Sequence, residues 1–241
     1  MSADLDPMEF ARIAEALQAA PTPTRTAEDI VNYVRNQLDA DHAGITLIRG
    51  RQLETVASTD TLVDQADALQ YELDEGPCRD SSWQCQTLIS TDLADDSRWP
   101  RWAPKVTALG ISSVLAAELT GRPDRRIGSI NVYWTQRRIF TADDIAFVNI
   151  FGRHAALALT ESVDKAGLSL ALDTRKRIGQ AQGILMERYD LDEARAFEVL
   201  RRYSQDHNIK LRRVAEDLVS TRKLPSTLRV DNNLAGTGQT S

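Results

Sequence analysis

No stretch of the 241-residue chain approaches the roughly 20 consecutive apolar residues of a membrane span. The opening MSADLDPMEF has neither the basic region nor the apolar run of a signal peptide, so the expected location is cytoplasmic. Cysteine is nearly absent. Cys78 and Cys85 stand alone in a chain large enough not to need staples, which excludes a disulfide framework and predicts reduced thiols. With only three histidines besides, little remains for a structural metal, and none is expected. Also missing are a phosphate-cradling glycine loop, a nucleophile elbow, a metal-ligand pair at helical spacing and a Cys/His arrangement. His42, His154 and His207 have no evident partners in sequence. The chain therefore reads as a non-enzyme with no evident cofactor, and no receiver-domain pattern points to aspartyl phosphorylation.

What is present is ordinary globular material, 42% hydrophobic and 27% charged, enough for one large or two modest domains. The net charge of −6 is unevenly spread. Residues 1–167 carry 16 Lys and Arg against 25 Asp and Glu, whereas residues 168–224 carry 12 against 9. A module at +3 behind a segment at −9 points to an anionic partner for the module, although a solvated helical surface gives the same balance.

Periodicity predicts an α+β chain. Helices are expected over 6–19 and 26–40, where Phe10, Ile13, Ala14, Leu17 and then Ile30, Val31, Val34, Leu38 recur at helical spacing, with Thr24 or Thr26 as cap. Two apolar runs, 43–48 and 53–58, flank a turn at Arg49–Gln52. A second pair, 111–119 and 127–134, flanks another, and together these are strands of an antiparallel sheet. Residues 62–105, with Trp83, Trp99 and Trp102, read as irregular.

No proline occurs between Pro123 and Pro225, and from Thr141 onward the pattern is helical. Leu159, Val163, Ala166 and Leu170 form a near-heptad seam, predicting a long helix that pairs with its copy in a homodimer; folding back on the sheet is the alternative. Three helices are expected beyond it. The first spans roughly 168–188. The second is opened by Asp190 with Glu193 at capping-box spacing, and the third begins near Asn208 and is closed by Pro225. Residues 226–241 are polar and glycine-containing, and a disordered tail is expected there.

Six segments in order carry a family resemblance: Tyr71–Cys78 (YELDEGPC), Ser90–Leu93, Asp96–Pro100, Gly110–Leu115, Ile127–Tyr133 and Phe140–Asp144. They resemble the GAF domain of actinobacterial-type regulators. The resemblance implies a sheet flanked by helices, often dimeric, with a cavity for a small-molecule effector of unknown identity. Tyr71, Cys78, Trp83, Trp99, Asn131 and Tyr133 are the candidate lining. Cys78 reads either as a sensing thiol or as a small buried residue, the usual fate of free cysteine.

Residues 168–224 resemble the ANTAR module through Arg177–Met186 (RIGQAQGILM), Ala196-Phe197 with Leu200–Arg202 and Ser204, and Leu211–Ala215. The implied activity is binding of paired hairpins in nascent mRNA, preventing a terminator from forming. Independently of the resemblance, Gly179 and Gly183 each cost a helix interior roughly 1 kcal/mol against alanine, so either a packed helix or a nucleotide must come close there. Lys176, Gly179, Gln180 and Gly183 share one strip edged by Arg175 and Arg177. Arg201, Arg202, Ser204, Lys210, Arg212 and Arg213 complete the candidate RNA contacts. Four parts follow: 1–25 as helix and linker, 26–163 as sensor, 164–224 as RNA-binding module and 225–241 as tail. A DNA-binding regulator and a dimerisation scaffold without nucleic acid are the rival functions; the basic residues are not concentrated on the first turn of one recognition helix, which counts against DNA.

Overall fold

The computed structural model describes residues 7–84, 86–122 and 125–224. It divides into two compact units, residues 1–166 and 167–241. No helix among the described residues is long and apolar enough to cross a membrane.

The first unit is a five-stranded antiparallel sheet in the order β2-β1-β5-β4-β3. Helices α1 (Pro7–Ala19) and α2 (Pro23–Gln37) precede the hairpin of β1 (His42–Arg49) and β2 (Gln52–Ser58). The cap of α2 is Thr22, whose side chain accepts from the Arg25 amide, with Pro23 preset for the first helical turn. Neither Thr24 nor Thr26 caps it; Thr26 is buried inside the helix and bonds to Ser162. The expected irregular stretch is in fact α3 (Thr61–Leu73), α4 (Pro77–Gln84), β3 (Leu88–Ser90), a 3-10 turn and α5 (Ala103–Ala108). Asp60 caps α3, and Val63, Ala66, Gln70 and Leu73 bury one face at helical spacing.

Strands β4 (Ser113–Arg122) and β5 (Arg125–Trp134) close the sheet. Period-two alternation divides its faces. Ala43, Ile45, Leu47, Leu115, Ala117, Leu119, Ile130, Val132 and Trp134 pack with α2 and with Phe147, Phe151 and Leu159 of α6 in one core. The opposite face carries Val114 and Tyr133 against Val63, Trp99, Trp102 and Val106. Leu17 of α1 joins the first core, so the N-terminal helix belongs to this unit rather than standing apart.

Helix α6 runs from Ala142 to Tyr189 without a break. Asp190 follows it with φ 52°, the left-handed conformation that ends a helix. The cap of α7 (Glu193–Asp206) is therefore not Asp190 but Asp192, which accepts from the Arg195 amide at 2.7 Å. Asn208 also takes a positive φ, and α8 (Leu211–Thr221) starts after it and stops at Arg222, φ 59°. In the second unit Ala181, Leu185, Ala196, Leu200, Val214, Ala215 and Leu218 form a three-helix core. Pro225 and the expected tail lie outside the described residues.

Candidate nucleic-acid interface and a buried polar cluster

In the first unit, the polar residues of β1 and β5 meet α3 and α4 in a buried network. The Cys78 thiol donates to Thr46 Oγ1 at 3.1 Å and lies 3.2 Å from Ser129 Oγ. Gly76, at φ 141°, has no room for a side chain, and the turn it makes lets the Cys78 amide donate to Gln70 Oε1. Asp67 accepts from Thr55 at 2.8 Å, Tyr133 at 3.0 Å and Gln70 at 3.2 Å. Tyr71 joins Thr46 and Thr55, and Asn131 donates to Thr46. Burial pushes the Asp67 carboxyl up to about 6. Burial, with Asp67 nearby, pushes the Cys78 thiol up to about 12.

Of the expected pocket lining, Tyr71, Cys78, Asn131 and Tyr133 converge here. Trp99 does not: it packs edge-on against Trp102, and its indole donates to Asp80. Nor does Trp83, which is 37% exposed. The missed members are Thr46, Thr55, Asp67, Gln70 and Ser129; polar residues at alternate positions of two apolar strands were the available signal. Cys78 is a free, fully buried thiol, and burial disfavours the thiolate that a reactive cysteine needs. Cys85, and with it any bridge, lies outside the described residues.

In the second unit, Lys176, Gly179, Gln180 and Gly183 are all exposed on α6. A Cβ placed on either glycine would meet nothing within 4 Å, so packing inside the module does not account for them. Arg175, Lys176, Arg177 and Lys210 form no ion pair among the described residues, whereas the other candidate cations each face an acid. Arg201 holds Glu198, Arg202 approaches Asp206, Arg212 holds Glu216 and Arg213 approaches Asp217. Ser204 is also committed, donating to the Ile209 carbonyl at 2.6 Å. Glu216 and, more weakly, Asp173 of α6 favour charge on Arg212, which brings the start of α8 beside the Asp173–Arg177 turn. Exposed helical pairs of this kind contribute only about 0.3–0.5 kcal/mol, so a phosphate can displace them.

The seam expected for dimerisation divides. Leu159 is 2% exposed in its own core and is not available to that seam, while Val163, Ala166 and Leu170 are exposed.

Two family models match in series: the GAF domain over residues 20–160, more than half of the chain, and the ANTAR domain over residues 166–219. The chain belongs to the GAF domain family and carries an ANTAR domain behind it. The ANTAR match contains both exposed glycines and every candidate RNA contact, and the GAF match contains the whole buried network. Both are regulatory rather than catalytic families. Among solved structures, the GAF domain of a phosphoenolpyruvate-protein phosphotransferase from Coxiella burnetii is similar at 14% identity. It covers 67% of this chain and 99% of its own, with a TM-score of 0.54. The corresponding Acinetobacter domain matches at 15%, covering 68% and 97%, TM-score 0.52. A bacteriophytochrome from R. palustris matches at 12%, covering 76% and 43%, TM-score 0.53. At such identities these likenesses carry the fold alone. Comparison with curated protein sequences finds no match.

Proposed function

We propose that this protein is a signal-responsive, homodimeric RNA-binding regulator that docks paired hairpins of nascent mRNA on its ANTAR domain and controls transcription termination. One observation carries the reading: Gly179 and Gly183 open the backbone of α6 where no described residue covers it, beside Arg175, Lys176 and Arg177, which form no direct ion pair among the described residues. Sequence-specific RNA readers work on splayed loop bases, which need a surface of this kind. Val163, Ala166 and Leu170 supply the uncovered face for a second copy. The buried network around Asp67 supplies the polar groups that a GAF effector would have to engage, in exchange for hydrogen bonds these groups now make to one another.

The test is binding of an RNA carrying two small hairpins across a salt series. Lys176→Ala, Arg175→Ala and Arg177→Ala each should flatten the slope of log affinity against log salt by ~0.7–0.9. Gly183→Leu should preserve helicity and abolish hairpin binding. A folded Gly183→Leu protein that binds as the parent does would remove α6 as the reader.

A further inference from the structure

Beside the glycine strip, α6 and the first turns of α7 border an open surface groove of about 970 Å³. Its lining is mixed. Leu170 and Ala171 from α6 and Phe197 from α7 are apolar; Leu170 is 51% and Phe197 38% exposed, and neither belongs to the three-helix core. Arg175, Asp192, Glu193 and Gln182 are polar. Asp192 pairs with Arg195, whereas Arg175 has no ion pair and Glu193 no cationic partner among the described residues. Gln182 donates through Nε2 to the Glu193 carbonyl and keeps its amide oxygen without a hydrogen bond among the described residues.

On α6, Arg175 and Gln182 stand four residues before and three after Gly179, so both border the strip as well as the groove. An aromatic side chain, acceptors and a cation in one groove match a flat heterocycle with an amino edge, carried on a phosphate. We infer that the groove takes one unpaired, amine-bearing base of the RNA loop, stacked on Phe197, its amine donating to Glu193 or Gln182 and its phosphate held by Arg175. This rests on the RNA-binding reading above. An apolar helix from a second copy fits less well, because it would bury Arg175 and Glu193 without new partners.

The probes are hairpin RNAs in which each loop adenine is replaced in turn by inosine, which lacks the amine, titrated against the full chain. The parent should bind the adenine form more tightly than the inosine form at one loop position, by about 5–150-fold. Glu193→Ala together with Gln182→Ala should erase that preference. Phe197→Ala, outside the core, should melt as the parent does and bind the hairpin about 5–150-fold more weakly, with the salt slope unchanged. Lys176→Ala should do the reverse, lowering the slope while keeping the preference. If Lys176→Ala lowers the slope but Phe197→Ala binds like the parent, RNA binding stands and the base groove is overturned. If Phe197→Ala, which lies outside the seam, converts a dimer to a monomer with the adenine preference intact, the groove belongs to a second copy and the inference fails. If the parent holds no RNA at low salt, both readings fail.

Discussion

Replacing Gly179 and Gly183 together by alanine should move stability and function in opposite directions. Both residues lie inside α6 with open space where a methyl would go, so each substitution should gain about 1 kcal/mol of helix stability without a clash. For a unit of 75 residues, 167–241, that corresponds to roughly 4–8 °C per substitution. The paired-hairpin RNA must meet the same surface. A methyl thrust into a close contact costs about 1–3 kcal/mol, so binding should weaken roughly tenfold or more. Far-UV circular dichroism melts of the full chain and RNA titration at one salt concentration read the two effects. A lower melting temperature would show that something rests on these glycines. No described residue does, so a second copy would be that something, and the strip would be an assembly face. A higher melting temperature with unchanged RNA affinity would refute the strip as reader.

Three further outcomes follow from the first unit and the seam. Val163→Glu with Leu170→Glu should halve the mass in light scattering while leaving the fold intact, whereas Leu159→Ala should cost about 2–5 kcal/mol of stability and leave the mass unchanged; a parent that is already monomeric refutes the seam. The Asp67 carboxyl, ordinarily at 3.8 and pushed up to about 6 by burial, keeps its proton in the fold where the unfolded chain has lost it. Its stabilising contribution is therefore complete below the unfolded value and is lost as pH rises through about 6, by ~3 kcal/mol at most. Asp67→Asn should flatten stability between about pH 4 and 6 in urea titrations, and an unchanged slope would show that Asp67 is not the group responsible. Finally, in a Cys85→Ser background, Cys78 should resist thiol reagents until denaturant is added; rapid labelling of the folded protein would restore the sensing role.

The sequence by itself determined what local patterns and motifs decide. Apolar runs over 43–48, 53–58, 111–119 and 127–134, each pair split by a turn, marked four strands, because short apolar runs bounded by turn residues suit buried strands. The absence of proline from 124 to 224 permitted a 48-residue helix, and two motif sets placed a GAF domain before an ANTAR domain. Only the tertiary structure decided matters that depend on which neighbour covers a residue. Leu159 and Leu170 share a spacing, but the sheet buries the first and leaves the second bare. Asp67 and Gln70 look like surface residues of a loop until β1 and β5 bring Thr46 and Tyr133 against them. Trp83 and Trp99 are alike in sequence, yet only the partner of Trp99 lies opposite it. The same holds for the glycines of α6: their spacing announced a close approach, but that no described residue makes it is a property of three helices packed on the other side, invisible until Ala181 and Leu185 are seen in one core with α7 and α8.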